Sequence, residues 1–317
     1  MCGIAGRILA EPGRIGSDLV SLMRAMRHRG WDSTGFALYG IPRDTGFVVR
    51  ALVDRRDRLD VSLDELLART RSAGADFTAD PTWDTTEQTH VSVRFEVSDP
   101  TNLRKWIDAC DAIDLVELQS VGRSLEIVKD VGDADEVDAK HNVSSFVGTH
   151  GLGHVRLATE SLVSPVAGHP FWARPFPDVA IVHNGQLTNY YTWKRRLERA
   201  GYRFTTENDS ELISVWNSVE MAAGLTLTEA LEKSRIDLDG VFTYLLATID
   251  HLGMAKDRFA IKALTAVNEP DGSALATEEQ ALRTLYPHEV DVVNYAEPSM
   301  VATWRAAPDG ALVGAAS

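Results

Sequence analysis

The second residue, Cys2, has the clearest capacity for chemistry in this sequence. If Met1 is removed, Cys2 carries both a thiol and a free α-amine. The reference pKa values of these groups, about 8.5 and about 7.7–8.0, are close enough for the amine to take the thiol proton near neutral pH. One residue would then supply both a nucleophile and its base. The alternative is an ordinary buried cysteine on a first strand over residues 2–9.

Three further sites in the sequence supply what acyl transfer needs besides a nucleophile. Asn184 is followed by Gly185, so a carboxamide N–H and an unobstructed backbone N–H can stabilise one oxyanion, at about 2.7–4 kcal/mol per donor. Arg156 offers a two-pronged partner for a carboxylate, and Asp209 offers a partner for an ammonium group. Together these two charges fit the α-amino acid end of a free amino acid, whose side-chain amide would reach Cys2.

Each of these residues also has a purely structural interpretation. Asn-Gly is a common turn dipeptide, an arginine on a strand often forms a surface ion pair, and Asp209 stands where a helix N-cap is expected. His150 and His154 are spaced i, i+4, but they lie on a glycine-rich strand approach and are interpreted as structural. No metal is expected at the site.

The elements before residue 53 place Cys2 on a strand and a polar turn beside it. Residues 2–9 are predicted as a buried strand, and Ser17 is predicted to cap a helix that ends by Gly30. The apolar stripe of that helix has helical spacing and consists of Leu19, Leu22, Met23 and Met26. Residues 28–35 form a polar, glycine-bounded turn that suits a loop bracing a nearby site.

The region of about residues 53–146 is predicted to be an α+β insertion with its own core. Ser62 begins a capping-box pattern for one helix, residues 90–97 alternate as a half-buried strand, and Asn102 caps a second helix. Cys110 lies on the apolar stripe of that second helix, where it behaves as a small hydrophobe. Two strands around Gly122 are predicted to form a hairpin.

From residue 151 onward the sequence predicts strands that end in the chemical residues. Residues 153–159 end in Arg156 and Thr159, and an apolar strand over residues 178–183 stops at Asn184. Helices are predicted over residues 188–199 and from Asp209 onward. Residues 241–249 and 259–264 are predicted to add sheet, and residues 284–317 a C-terminal extension.

Composition narrows the class of protein. The 317 residues are 44% hydrophobic and 25% charged, as in ordinary globular proteins. No apolar run approaches the length of about 18 residues that a membrane span needs, and no secretory leader is visible. With only Cys2 and Cys110, a reducing, cytoplasmic location is expected. The net charge of −14 disfavours a nucleic-acid partner.

The ordered motifs resemble the glutaminase domain of class II glutamine amidotransferases, which are N-terminal-nucleophile hydrolases. The matching segments cover residues 1–50 and 147–283 and are Met1-Cys2-Gly3-Ile4, His28-Arg29-Gly30-x-Asp32-Ser33-x-Gly35, Gly153 to Thr159, His183-Asn184-Gly185, Asp209-Ser210-Glu211, Lys256 to Leu264 and Ala276 to Leu282. The resemblance implies an α+β fold, a four-layer αββα sandwich, with a domain over residues 1–283 and the insertion at about 53–146.

The resemblance also implies a role for each site residue. Cys2 would be the nucleophile, with its own α-amine as base, and Asn184 with the Gly185 N–H would form the oxyanion hole. Arg156 would bind the glutamine carboxylate and Asp209 its ammonium group. Thr159 and Gly185 would lie nearby. The expected reaction is glutamine hydrolysis to glutamate and ammonia, conditional on removal of Met1.

The chain ends some 34 residues after the motif block, so we expect the ammonia to pass to a partner synthase. In this respect the chain resembles the amidotransferase subunit of N-methylglutamate synthase, related to glutamate synthase. This implies glutamate-synthase-like partner subunits that carry FMN and iron–sulfur groups, with no cofactor in this chain. Two alternatives stay open: a non-catalytic glutamine- or glutamate-binding subunit of such a complex, and a stand-alone amidase, which the two charged clamps disfavour.

Four features depart from the family pattern, and the insertion at about residues 53–146 is one of them. Trp31 stands in the polar turn where glutamine is commoner, and Ala260 and Ala263 replace the usual glycine and proline. A retained Met1 would turn the Cys2 nitrogen into an amide that cannot accept a proton. That change would abolish most glutaminase activity without altering the fold.

Overall fold

A computed structural model describes residues 2–84, 90–157, 165–288 and 290–306. Thr159, predicted to lie near the substrate, falls outside these described residues. Within them the chain forms three antiparallel sheets and eight α-helices. The strands, in chain order, are β1 (Gly3–Gly13), β2 (Ser33–Tyr39), β3 (Phe47–Val53), β4 (Thr82–Trp83), β5 (Val91–Val97), β6 (Val116–Gly122), β7 (Leu125–Val131), β8 (Gly148–Arg156), β9 (Phe171–Trp172), β10 (Ala180–Leu187), β11 (Gly240–Ala247), β12 (His251–Lys256), β13 (Thr265–Glu269), β14 (Gly272–Ala276), β15 (Val293–Asn294) and β16 (Val301–Arg305).

The helices alternate with these strands and supply the outer layers. They are α1 (Ile15–Ala25), α2 (Leu59–Ser72), α3 (Leu103–Asp111), α4 (Ala134–His141), α5 (Tyr190–Arg199), α6 (Asp209–Ala222), α7 (Leu227–Asp237) and α8 (Glu279–Leu282). None of the helices in the described ranges is long and apolar enough to cross a membrane.

Two stacked sheets form the centre of the molecule. The larger has seven strands in the order β15-β13-β14-β1-β8-β2-β7, and the other has five in the order β16-β12-β11-β10-β9. Side chains on β1 alternate between two cores: Ile4 and Ile8 pack between the sheets, whereas Ala5 and Leu9 pack against helices. This period-two alternation is what a strand buried on both faces requires.

Helices cover the outer face of each central sheet. Helices α1, α4 and α8 share a core with the seven-stranded sheet, and α5, α6 and α7 share one with the five-stranded sheet. The layer order is therefore helices, sheet, sheet, helices. The predicted α+β, four-layer αββα sandwich is confirmed.

The additional layer is a four-stranded sheet with the order β4-β5-β3-β6, covered by α2 and α3. This sheet uses a shorter stretch of the chain than the predicted insertion of about residues 53–146, because its strands run from the start of β3 at Phe47 to the end of β6 at Gly122. Strand β7 pairs with β2 in the seven-stranded sheet instead, so the predicted hairpin around Gly122 is wrong. Asp178 separates the two strands: its carboxylate accepts hydrogen bonds from the backbone N–H groups of Arg123, Ser124 and Leu125.

The four-stranded sheet has no separate core, contrary to the sequence prediction. Val93 and Phe95 on its apolar face, and Trp106 on the covering helix α3, belong to the same continuous cluster as Ile4 between the central sheets. Cys110 is fully buried in this cluster, as its helical spacing indicates.

Two other local predictions are corrected. Helix α2 begins at Leu59 rather than at Ser62, with no side-chain cap. Residues 259–264 form a turn rather than a strand: Ala260 has φ +51, and Asp257 Oδ1 accepts from Phe259 N at 2.6 Å. The residues after 283 supply edge strands to both central sheets, since β15 pairs with β13 and β16 pairs with β12.

Candidate active site

Cys2 lies at the start of β1, directly beside the strand that carries Arg156. The β1–β8 register pairs Gly3 with Val155, so the next step along each strand brings Cys2 opposite Arg156. Gly30 packs on this junction, and a Cβ there would lie 2.3 Å from the Arg156 carbonyl carbon. The turn carrying Gly30 therefore closes tightly over the end of β8.

A second arginine holds the main chain of Cys2. Arg29 Nε donates to the Cys2 carbonyl oxygen at 3.0 Å, and its Nη1 bonds Glu278. His28 Nε2 lies 2.9 Å from the same glutamate. The polar turn thus contacts Cys2, as the bracing prediction requires, although the partner of Arg29 was not anticipated. The sequence indicated this contact only through the many polar side chains in residues 28–35.

Asn184 connects the five-stranded sheet to Cys2. Its Nδ2 donates to the Cys2 carbonyl oxygen at 3.2 Å. A carboxamide nitrogen carries two N–H groups, so the second remains available to an oxygen in the adjoining cleft. That open cleft, of about 530 Å³, is lined by Cys2, Arg29, Leu157, Asn184, Gly185, Gln186, Val241, Ile261, Lys262, Ala263 and Thr277.

Gly185 is required by close packing against β11. Its φ is +142, and a Cβ there would lie 2.0 Å from the Val241 carbonyl oxygen. Asn184-Gly185 thus lies inside β10, paired with Thr243 and Phe242, rather than in a turn. The turn interpretation of this dipeptide is therefore wrong.

The register of β10 directs the Gly185 N–H away from β11. Phe242, opposite Gly185, donates its N–H to Asp257 Oδ2 and accepts from Asp257 N through its carbonyl oxygen. Its backbone groups therefore face β12, and Gly185 and Phe242 form a non-hydrogen-bonded pair. On its other side, β10 pairs with β9 only at Ala180 and Ile181. The Gly185 N–H faces this open edge.

Asp209 lies on the same edge of β10. Its Oδ2 accepts from Leu187 N at 2.9 Å, two residues beyond Gly185, and its Oδ1 is 3.5 Å from His183 Nδ1. Burial alone would raise the pKa of Asp209, but the charge and hydrogen bond of His183 and two backbone N–H groups outweigh it, and the pKa is lowered. A partly buried carboxylate that stays ionised suits a cationic ligand group.

The N-cap interpretation of Asp209 is also wrong. The neighbouring Asn208 is the N-cap of α6, and its side chain accepts from Ser210 N at 2.9 Å. Asp209 is the first helical residue, so its carboxylate is free of the capping role and reaches β10.

The structure brings Cys2, Asn184 and Gly185 to one cleft. Arg156 and Asp209 are not among the residues that line that cleft: Arg156 lies opposite Cys2 on β8, and Asp209 bonds the backbone of Leu187. His150 stacks on Tyr39 and its Nε2 lies 2.7 Å from the Thr248 carbonyl oxygen, so it is held inside the core. Within the described ranges no group of three or more His, Cys, Asp or Glu side chains is arranged to hold a metal ion.

Comparisons with known proteins agree on one family. Residues 154–284 match the model of a glutamine amidotransferase domain. A Methanothermobacter thermautotrophicus protein named as a glutamine amidotransferase is 34% identical over 291 residues, covering 89% of this chain and 93% of its own. The glutamine amidotransferase-like protein GlxB of Rhizobium meliloti is 32% identical, covering 96% and 98%.

Solved structures agree on the fold. The glutamine phosphoribosylpyrophosphate amidotransferase from B. subtilis superposes with a TM-score of 0.61 at 17% identity, covering 98% of this chain. The chain spans 48% of that structure, about half its length. The αββα sandwich of this chain is thus the fold of a solved amidotransferase. The chain belongs to the glutamine amidotransferase family.

Proposed function

We propose that this chain hydrolyses glutamine with the Cys2 thiol and supplies the ammonia to a separate synthase subunit. One observation carries the proposal: the Asn184 carboxamide reaches the Cys2 main chain across two sheets, at 3.2 Å, beside the edge-facing Gly185 N–H. A nucleophile and two oxyanion donors therefore lie at one cleft, as acyl transfer requires.

The reaction needs a Cys2 α-amine freed by removal of Met1. The amine takes the thiol proton, and the sulfur attacks the glutamine side-chain carbon, so the carbonyl oxygen becomes an oxyanion. The second Asn184 N–H and the Gly185 N–H stabilise that oxygen. The protonated amine then gives its proton to the departing nitrogen, ammonia leaves, and water cleaves the thioester to release glutamate.

We assign the substrate's α-amino acid end to two charged side chains. Arg156, opposite Cys2, would bind the carboxylate, and Asp209 would bind the ammonium group. The lowered pKa of Asp209 keeps the carboxylate ionised throughout the neutral range. Thr159, outside the described residues, stays a proposed substrate contact.

The separate partner is supported by the relatives' lengths. The matched regions occupy 93% and 98% of the two relatives, so neither carries a large additional domain for using ammonia. A glutamate-synthase-like partner with FMN and iron–sulfur groups, as in N-methylglutamate synthase, stays our proposal for the acceptor. Co-purification from the native host tests it: a stable complex without a flavin- and iron–sulfur-containing subunit would contradict this partner.

Catalysis is tested by ammonia release from glutamine together with intact-mass measurement. We expect the mass to lack methionine and Cys2→Ala to abolish release. Cys110→Ala is the matched control, because burial raises the pKa of that thiol to about 12 and makes it unreactive. Glutamine binding without ammonia release by protein that lacks Met1 would support the non-catalytic binding subunit instead.

A further inference from the structure

A chain of side-chain contacts extends from Asp209 into the interior. His183 Nδ1 lies 3.5 Å from Asp209 Oδ1 and 2.9 Å from Ser210 Oγ. Ser210 Oγ is also 2.7 Å from His169 Nε2. The Ser210 hydroxyl, whose residue is only 1% exposed, therefore bridges two imidazoles from different segments of the chain.

The same chain continues to the strand of Arg156. The His169 ring stacks on the His154 ring, with 4.1 Å between centroids and 14° between planes. His154 precedes Arg156 by two residues on β8, so both side chains emerge on one face of the strand. Ser210 thus lies within a path of side-chain contacts that runs from Asp209 to His154, on the strand that carries Arg156.

Burial decides how protons are arranged along this path. It lowers the pKa of His154 to about 3 and that of His169 well below its ordinary value, so both rings are neutral near pH 7. A neutral imidazole has one donor and one acceptor nitrogen. The Asp209 carboxylate favours the tautomer of His183 that has its N–H at Nδ1, and in that tautomer Ser210 accepts from His183 and donates to His169 Nε2.

Few other hydrogen bonds restrain these rings. In the described part of the chain, His154 Nε2, His169 Nδ1 and His183 Nε2 are buried without a hydrogen-bond partner. Buried polar atoms usually have hydrogen-bond partners. Because these nitrogens have none, the orientations of the His169 and His183 rings depend strongly on Ser210.

We propose that Ser210 is a positioning residue that fixes the spacing between Asp209 and Arg156 and thereby selects the L-α-amino acid end of the substrate. This inference rests on the proposed function. Ser210 acts through His183 on the ammonium partner, and through His169 and His154 on the strand of the carboxylate partner. With the side-chain amide at Cys2, two fixed charges make a three-point attachment, which distinguishes enantiomers.

Binding measurements in a Cys2→Ala background test this without turnover. Calorimetry would compare L-glutamine, D-glutamine and 5-amino-5-oxopentanoate, which lacks the α-amino group. We expect Ser210→Ala to raise the dissociation constant for L-glutamine about tenfold, which is the typical effect of losing one hydrogen bond. Binding of the deaminated compound should change much less, and the preference for the L enantiomer should fall.

Three further variants make the result specific. Ser210→Thr keeps the hydroxyl and should restore L-glutamine binding to within about threefold of the parent. Ser214→Ala is the control, because Ser214 Oγ is buried in the same helix but bonds only the Glu211 carbonyl oxygen among the described contacts.

His169→Phe keeps a stacked ring without its nitrogens and should reproduce the effect of Ser210→Ala. Combining the two substitutions should add little further loss of affinity, because both act on the same contact. His169→Phe also provides the test if Ser210→Ala does not fold.

The outcomes separate the two proposals. If the Cys2→Ala parent fails to bind L-glutamine, the proposed function is overturned, and this inference with it. If the parent binds but Ser210→Ala and His169→Phe keep both its affinity and its enantiomer preference, only the role of Ser210 is overturned. Equal weakening of all three compounds would show a general structural role and would also overturn it.

Discussion

Gly185 contributes to the site because the absence of a side chain lets β10 pack closely against β11. Gly185→Ala would place a Cβ 2.0 Å from the Val241 carbonyl oxygen, so β10 must shift and carry the oxyanion donors with it. We expect glutaminase activity to fall by at least about 100-fold, the typical effect of losing one oxyanion donor. Ammonia release and urea unfolding together measure the effect.

Gly224 provides the matched control for that substitution. It also has a positive φ, +108, but a Cβ there meets nothing within 4 Å. Gly224→Ala should therefore show only the backbone strain of about 1–3 kcal/mol and keep its activity. Equal activity losses in both variants would show that strain, rather than displacement of β10, is responsible.

Arg29 is the residue that places the Cys2 main chain. Arg29→Lys keeps the charge but removes the planar group that bonds the Cys2 carbonyl oxygen and Glu278 at once. We expect kcat/KM for glutamine to fall about 10- to 100-fold, because small misplacement of a nucleophile is costly. Arg27→Lys, two residues earlier, changes an exposed side chain that pairs with Asp133 and does not contact Cys2, and it should be nearly neutral. Unchanged kinetics in Arg29→Lys would refute the bracing role.

At the residue scale, the sequence pointed to residues whose own chemical groups are distinctive. It did not point to residues that matter only through a contact with a distant part of the chain. Cys2, Asn184 and Gly185 were predicted because their groups match the needs of acyl transfer, and the structure brings them together. The bond from Arg29 to the Cys2 carbonyl joins residues 27 positions apart. No local pattern encodes that pairing, since it depends on how a turn folds over β8.

Capping links the elements to the site. Asn208 and Asn102 both cap helices, accepting from Ser210 N at 2.9 Å and from Lys105 N at 3.0 Å. Replacing either by alanine should reduce the free energy of unfolding by about 1 kcal/mol. Only Asn208→Ala should also raise KM for glutamine, because α6 starts with Asp209. Urea titration and steady-state kinetics on both variants test this, and a matching KM increase in Asn102→Ala would contradict it.

The same elements show why boundaries were harder to predict than chemistry. Asn102 was predicted as a cap and is one, because its side chain satisfies a free helix N–H. Ser62 has an equally good capping pattern, yet α2 begins at Leu59, which is buried. The mostly apolar residues 259–264 form no strand in the described structure, and Ala260 within them has φ +51. In both cases tertiary contacts override the local pattern.

On the scale of the molecule, pairing between strands that are distant in sequence determines which sheet β6 and β7 each join. Strands β6 and β7 are consecutive and separated by two residues, which favours a hairpin. They enter different sheets because β7 completes the long ladder with β2 while β6 pairs with β3. The layers and their helices could be predicted from alternating patterns and family resemblance, but this exchange between sheets depends on long-range partners.

A buried ion cluster joins these layers and makes the stability of the molecule depend on pH. His141, at the end of α4, lies between Asp130 of β7 and Asp84, just after β4. Lys140 also pairs with Asp130. Burial would lower the pKa of His141, but hydrogen bonds to Asp130 and Asp84 and their charges outweigh it, so the pKa is raised.

The sign of the pH effect follows from that raised pKa. Because the folded protein binds the His141 proton more tightly than the unfolded chain does, the stabilisation is complete below the unfolded pKa of about 6.5. It is lost as the pH rises through the folded pKa. We therefore expect the free energy of unfolding to decline above pH 6.5 more steeply in the wild type than in His141→Gln. Urea titrations at intervals from pH 6 to 9 measure the difference. Asp84→Asn should reduce the decline by removing one of the two carboxylates, and parallel curves for all three proteins would exclude this cluster as its origin.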